Sequence, residues 1–440
     1  MTVQTKRTIF TNLSSLIDAT HLWFDVRNVL EWGTDPDVDE YYDTLIDNTK
    51  YAPAILGRIK CKDAKSQIKK NLRVLHQRIA QEELISYYSV TEQDLDKILD
   101  IFVRVNSAGT ILSKSDLLFS TIIANWEEGR EEIEDLIESI NKVGDTFGFD
   151  SDFVMRTCLF VIDAPVLFKV ESFNKANITK IINSWDNIKS AIKKAVTIVS
   201  SFGFNKDNLT ANNAIIPIVY YIYNGGITDK TSTGELRKYI ISALLKMIFS
   251  SSGEQTLTHL RQAMNTSALS AGKPFHFESF SAEFNRIGNK RINVQPDDID
   301  DILNYKKGAY TFMVLSMLYP NLKFGQVKFH QDHIHPYALF KISEFSKIGI
   351  TSDIVEQWMD MRDKLPNLQL LEGLENVSKN KTPLKDWLYT TYGSVPKDIA
   401  KYKADNYIEP SASEDFKDFE DFYNRRSKLL ISAIKSAFNL

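Results

Sequence analysis

Between His330 and His335 the chain sets three histidines and an aspartate in six consecutive positions, although it holds seven histidines in all. The surrounding stretch is VKFHQDHIHP, Val327 to Pro336. These residue types suit hydrolysis of a phosphodiester. That reaction needs a water nucleophile, a base to deprotonate it, and a cation to take the charge on the phosphate and the leaving oxygen. Histidine is the natural base because its pKa lies near working pH. A hard divalent ion prefers oxygen, so an aspartate carboxylate and an asparagine carbonyl suit Mg²⁺. The pair Asp332-His333 supplies one ligand and one base side by side, and Pro336 ends any strand pairing. The plain alternative is a strand end that carries polar residues. His330 reads as a structural histidine rather than a ligand.

A second stretch, LPNLQLLEGLENVSKNKTPLKDW (Leu365–Trp387), supplies what the first lacks. NLQLL predicts a short strand, and Gly373 allows a turn. LENVSKNK then predicts a helix start or loop carrying Asn376, Lys379 and Lys381. The order is strand with Asp-His, long connection, strand opening at Asn367, then a second Asn with lysines. Asp-His-x-His also occurs in zinc hydrolases, but those need three protein ligands, commonly several histidines. The asparagine-rich half has no place in such a site.

The pattern DHIHP…NLQLLEGLENVSKNK resembles the HNH (ββα-metal) nucleases. The resemblance implies His333 as general base, Asp332 and Asn376 as ligands of one Mg²⁺ (or Mn²⁺), and Asn367 as the clamp of the loop between strands. The step from Asn367 to Asn376, with Lys379 three residues on, is similar to the HNH domains of RNA-guided CRISPR nucleases. Lys379 is then expected to face phosphate, with Lys381 beside it on the DNA side. His335 shares a side with His333 if the strand continues, where it would assist the leaving group.

The elements that must position these residues are mostly helical. The chain has 440 residues, 43% apolar and 25% charged, with 18 glycines and 12 prolines. These are globular values for two or three domains. Ile133, Leu136, Ile137 and Ile140 repeat at helical spacing, as do Ile98, Phe102 and Val105, and Leu430, Ile434, Ala437 and Phe438. Each stripe predicts a core-facing helix. PDDIDDIL offers Asp297 or Asp298 as a cap. Net charge is −4, so nucleic-acid contact requires a local basic patch. One candidate is Arg58–Arg78, where Lys65, Lys69 and Arg73 stand at i, i+4, i+8 opposite the apolar Ile68, Leu72, Leu75 and Ile79. It is either a phosphate-tracking helix or a solvated basic face. Cys61 and Cys158 form no CxxC pair, which excludes a disulfide framework and fits a reducing, cytoplasmic setting. The apolar run Ala214–Tyr223 is about half the ~20 residues a membrane span needs.

Further forward, IFVRVNSAGTILSKSDLL (Ile101–Leu118) is similar to the RxNxxGxxL segment of the GmrSD family. That family joins a ParB-like N-terminal domain to a C-terminal HNH domain through a helical region and restricts modified phage DNA. Read from the residues alone, Asn106 to Gly109 is a turn, and Ser113 with Asp116 is a capping box. The family's DGQQR motif is missing. The chain is expected to begin just past where that motif would stand, with HLWFDV resembling the strand that follows it, as a fragment, a split gene product or a degenerate member. The expectation is a mainly α protein. Residues 1–120 would be a ParB-like remnant, 121–294 a helical linker domain, and 295–440 a ββα-metal nuclease domain embedded in helices. The implied function is a Mg²⁺-dependent DNA endonuclease, a nickase or restriction effector in phage defence. The alternative is a non-catalytic helical module whose partner chain carries the missing domain; an enzyme acting on RNA is a third reading. No membrane partner is expected.

Overall fold

Of the stripe Ile133, Leu136, Ile137 and Ile140, all on one helix, three are buried and Ile137 is partly buried, and the same logic builds most of the molecule. The structure is a computed structural model. It describes residues 26–47, 56–58, 60–82, 91, 97–98, 101, 122, 125–167, 169–267, 274–393 and 395–440. HLWFDV up to its last residue, and Ile101–Leu118 after its first, lie outside the described residues, as does most of the Ile98–Val105 stripe.

Contacts divide the chain into two units, Met1–Thr91 and Glu92–Leu440. In the first, α1 (Val38–Asp47) packs on α2 (Lys62–His76). Val29, Trp32, Val38 and Leu72 form its small core, with Ile68 and Leu75 packed against them as the apolar stripe predicts.

The second unit is mainly helical. Its helices are α3 (Gly129–Asn141), α4 (Ser151–Val161), α5 (Lys175–Ser201), α6 (Ile216–Tyr223), α7 (Lys230–Leu245), α8 (Gly253–Ser267) and α9 (Phe277–Ile287). They continue as α10 (Ile299–Leu303), α11 (Ala309–Leu318), α12 (Ile342–Ile348), α13 (Ser352–Met361), α14 (Gly373–Lys379), α15 (Leu384–Tyr392), α16 (Pro396–Asp405) and α17 (Phe419–Phe438). The apolar run Ala214–Tyr223 is the innermost helix, α6 with its lead-in. Ile215, Ile216, Ile218 and Val219 are wholly buried, each burial contributing about 1.5–3 kcal/mol. Pro217 sits in its first turn, where no backbone N–H is lost. Among the described residues, no helix is long and apolar enough to cross a membrane.

The unit has two apolar clusters. The larger joins α3 to α11 with Leu368 and Leu370 of the second strand and with Leu430 and Ile434 of α17. The smaller gathers Ile334, Phe340, Trp358, Trp387, Phe416, Phe419 and Phe422. Helix α17 therefore serves both clusters, with the fully buried Arg426 between its two apolar stretches. The expected boundary at 120 borders residues outside the described ones, while on either side of 294 Ile292, Val294, Ile299 and Ile302 all belong to the larger cluster. At that junction Gln295, rather than Asp297 or Asp298, is the cap: Asp298 is the third-position partner of its capping box, accepting from Gln295 N at 2.7 Å and pairing with Lys246 at 2.8 Å.

One two-stranded sheet stands among these helices. Strand β1 (Phe329–His333) pairs antiparallel with β2 (Leu368–Glu372). Asp332 lies opposite Gln369, and His333 opposite Leu368. The connection between them holds α12 and α13, and α14 starts directly after β2.

Candidate active site

The strand pairing brings the two polar stretches together, and Asn367 fixes the join. Its side-chain Oδ1 accepts from the His335 backbone N at 3.0 Å. Its Nδ2 donates to the carbonyls of His335 at 3.2 Å and Arg362 at 2.8 Å. Its own carbonyl accepts from Ile334 N at 2.8 Å. A wholly buried amide with all these bonds made is a clamp on the chain leaving β1. Behind it, Arg426 donates to the carbonyls of Leu365 and Pro366 at 3.2 and 2.7 Å, fixing the entry to β2.

Neighbouring strand positions point to opposite faces, so Asp332 and His333 diverge. Asp332 is nearly buried, 8% exposed, and opens onto a cleft of about 400 Å³ that Asn376 also lines. Lys307, Lys328, His330 and Asp207 are on the walls of the same cleft. Both contacts to the carboxylate fall on Oδ2: Gln369 Nε2 donates at 2.9 Å, and Lys379 Nζ pairs at 2.8 Å. Tyr402 in turn donates to Gln369 Oε1 at 2.7 Å, which fixes the amide's orientation.

His333 lies on the other face, where Asp363 accepts from its Nε2 at 2.8 Å. Arg362 donates to the second oxygen of Asp363 through Nε at 3.0 Å and through a terminal nitrogen at 2.6 Å. The guanidinium of Arg362 stacks 3.9 Å from the Tyr337 ring, which in turn meets His333 edge-on. Burial holds the His333 imidazole below the ordinary histidine range; Asp363 opposes the shift and Lys307 adds to it. Burial pushes Asp363 upward, but the hydrogen bonds of Arg362 and His333 outweigh it, and its carboxyl stays below the usual range. A neutral ring donating Nε2–H to a carboxylate keeps Nδ1 as its proton acceptor. Sequence reasoning missed this dyad. Asp363 lies in the connection, four residues before Asn367, with no spacing that points to His333.

Other predicted site residues stand elsewhere. His335 does not share a side with His333, because β1 ends at His333 and the chain turns inward. Its ring is fully buried against Phe416, Phe419 and Phe422, and among the described residues neither nitrogen has a hydrogen-bond partner. Its complete burial keeps it from any leaving group, and the same burial pushes its pKa down to about 3. Lys379 does not face phosphate. It is wholly buried, and its ammonium is taken up by Asp332 and by the His333 carbonyl at 2.5 Å. Burial lowers its pKa despite Asp332. Lys381 is exposed, just beyond α14. In the first unit, Lys69 is ion-paired with Asp39, and Arg73 approaches the same carboxylate at 4.0 Å. Lys65 and Lys69 also lie over the Tyr42 ring, at 4.8 and 5.3 Å. These cations meet α1 within their own unit rather than standing as an open phosphate track.

The donor set suits a hard divalent ion. Among the described residues, Asp332 Oδ1 carries no protein hydrogen bond, and Asn376 lines the same cleft. One carboxylate and one amide would leave most of such an ion's water in place, as Mg²⁺ prefers. Among the described residues, no group of three or more His, Cys, Asp or Glu side chains is placed to hold a metal. No family model and no curated protein matches the chain.

Proposed function

We propose that the chain is a metal-dependent DNA endonuclease of the HNH type. What supports this most is one convergence: two stretches remote in sequence pair as β1 and β2, α14 follows at once, and Asp332 and Asn376 open onto one cleft. In this reading those two residues would hold Mg²⁺ or Mn²⁺, which would supply neutralisation of charge on the phosphate and leaving oxygen. His333, neutral at working pH, accepts the proton of the attacking water at Nδ1. Asp363 stabilises the imidazolium that forms, and Arg362 keeps Asp363 charged. Asn367 holds the loop that carries the base. One such site cuts one strand, so nicking is the primary reaction. A role against modified phage DNA rests on the GmrSD-like segment alone.

The test is a supercoiled-plasmid assay with Mg²⁺, Mn²⁺ or EDTA. Nicked circles should form with either metal and not in EDTA. His333→Ala should lose on the order of 10²–10⁴-fold in rate while keeping its circular dichroism. Full activity in His333→Ala, or cutting in EDTA, refutes the assignment. A structured RNA in the same assay separates an RNase.

A second reading has its own observations. Lys379 already neutralises Asp332, and His333 is not part of the wall of the cleft. Both favour a non-catalytic module acting with a partner chain. A folded wild-type protein that binds nucleic acid but never cuts it decides for this reading.

A further inference from the structure

We infer that Lys307 and Lys328 are the cations that seat a nucleic-acid phosphodiester backbone in the cleft beside Asp332 and Asn376. The inference rests on the nuclease reading of that cleft. Neither lysine is among those from which the sequence suggested phosphate contacts, although Lys328 lies in the VKFHQDHIHP stretch.

Phosphate binding requires ammonium groups that are exposed and not already neutralised. Of the motif lysines, Lys379 fails on both counts, being wholly buried and paired, and Lys381 is exposed but does not line the cleft. Lys306 and Lys364 flank the site but share Asp360. Lys307 and Lys328 are exposed, line the cleft, and make no ion pair among the described residues.

Both are also held in place by backbone contacts. Lys307 N donates to the carbonyl of Asp363 at 2.8 Å, alongside the bridge between Lys306 and Lys364. Gly308 N donates to Gln331 Oε1 of β1 at 3.1 Å. The Lys307 backbone is therefore fixed to the residue that orients His333 and, one position on, to the strand that carries it. Lys328 directly precedes β1, and its carbonyl accepts from Gly373 N at 3.1 Å, at the start of α14. The two lysines thus project from rigid positions at the sheet. A flexible tether would lose more freedom on binding.

Asp207 is the opposing charge on the cleft wall. Asp332 is offset by Lys379, so cations remain in excess. A separate cleft of about 450 Å³ has the reverse character: Glu375, Asp398 and Asp405 line it beside Tyr392 and Tyr402. Those carboxylates would repel phosphate.

The experiment measures fluorescence anisotropy of the full chain in EDTA against salt, with a short labelled DNA duplex and with single-stranded RNA. The Lys307→Gln/Lys328→Gln variant should bind about tenfold or more weakly near ~0.1 M salt. Its log affinity–log salt slope on duplex should be shallower by about 1.8, two phosphate contacts' worth. Lys306→Gln/Lys364→Gln should leave the slope unchanged. Whichever probe shows the larger loss names the backbone. Unchanged affinity and slope in the first variant overturns the inference. If that occurs while wild type still nicks plasmid, the nuclease reading survives. If wild type never nicks, yet binding falls in the variant, this inference survives and the catalytic reading does not. A wild type that binds neither probe overturns both.

Discussion

Asp332→Asn should destabilise the second unit more than Lys379→Met, and the two changes together should cost less than their sum. The ammonium of Lys379 is wholly buried, and the only charge it meets is the carboxylate 2.8 Å away, among the described residues. Breaking a buried pair by removing one partner costs about 3–5 kcal/mol, because the remaining charge is stranded. With a neutral amide in place of the carboxylate, the buried ammonium would keep only uncharged acceptors such as the His333 carbonyl, so ~3 kcal/mol is the reasonable figure. The reverse change strands a carboxylate that keeps its Gln369 bond and opens onto the cleft. Water reaches it there, and ~1–2 kcal/mol is expected. The double variant buries no net charge, so a coupling of about 1–3 kcal/mol should separate it from additivity. Urea unfolding at fixed pH and salt, followed by circular dichroism, gives the three differences. Additivity within ~0.5 kcal/mol would refute the buried pair. The cycle bears on function as well. Lost nicking in Asp332→Ala alone would mix metal loss with unfolding, whereas the double variant removes the ligand from a better-folded protein.

Two other outcomes follow from the histidines. The unfolded His335 imidazole protonates near ~6.5, the folded one near about 3. Between those values the unfolded state holds the extra proton, so stability falls as pH drops, by about 1.4 kcal/mol per unit. His335→Leu should remove this acid loss and add about 1 kcal/mol at neutral pH, since two unpartnered ring nitrogens leave the core. Equal acid sensitivity in both proteins, measured by urea midpoints from about pH 7 to 4, would contradict the sealed aromatic cage. For His333, burial lowers the pKa and Asp363 opposes that shift, so activity should persist below the usual histidine range and fall as the ring protonates. Asp363→Asn removes the opposing charge: the acid limb of the nicking rate should move to lower pH, while the plateau falls on the order of 10²-fold from lost orientation. An acid limb that moves upward would rule out Asp363 as the partner of the base.

These features differ in how far sequence reveals them. The sheet was readable because its strands carry both a chemical marker and a boundary: Asp-His before Pro336, and NLQLL between Asn367 and Gly373. The helices were readable because apolar stripes such as Ile133, Leu136 and Ile140 repeat with one period. Depth was not readable. Lys379 is three residues after Asn376, and spacing gives its face on α14 but not its distance beneath the surface; the packing of α14 on both strands sets that. The i, i+4, i+8 spacing of Lys65, Lys69 and Arg73 likewise gives a face, but not the Asp39 and Tyr42 that α1 brings to it. His335 was misplaced because alternation was extended two residues past the point where pairing stops. Asp363 was missed for the converse reason: it acts on His333 from 30 positions away, through a connection whose course depends on α12 and α13. Residue type and local period thus locate the chemistry, while tertiary packing decides which charges remain free to perform it. On that ground Lys307 and Lys328, exposed and lining the cleft, are stronger candidates for substrate contact there than the buried, paired Lys379 of the motif.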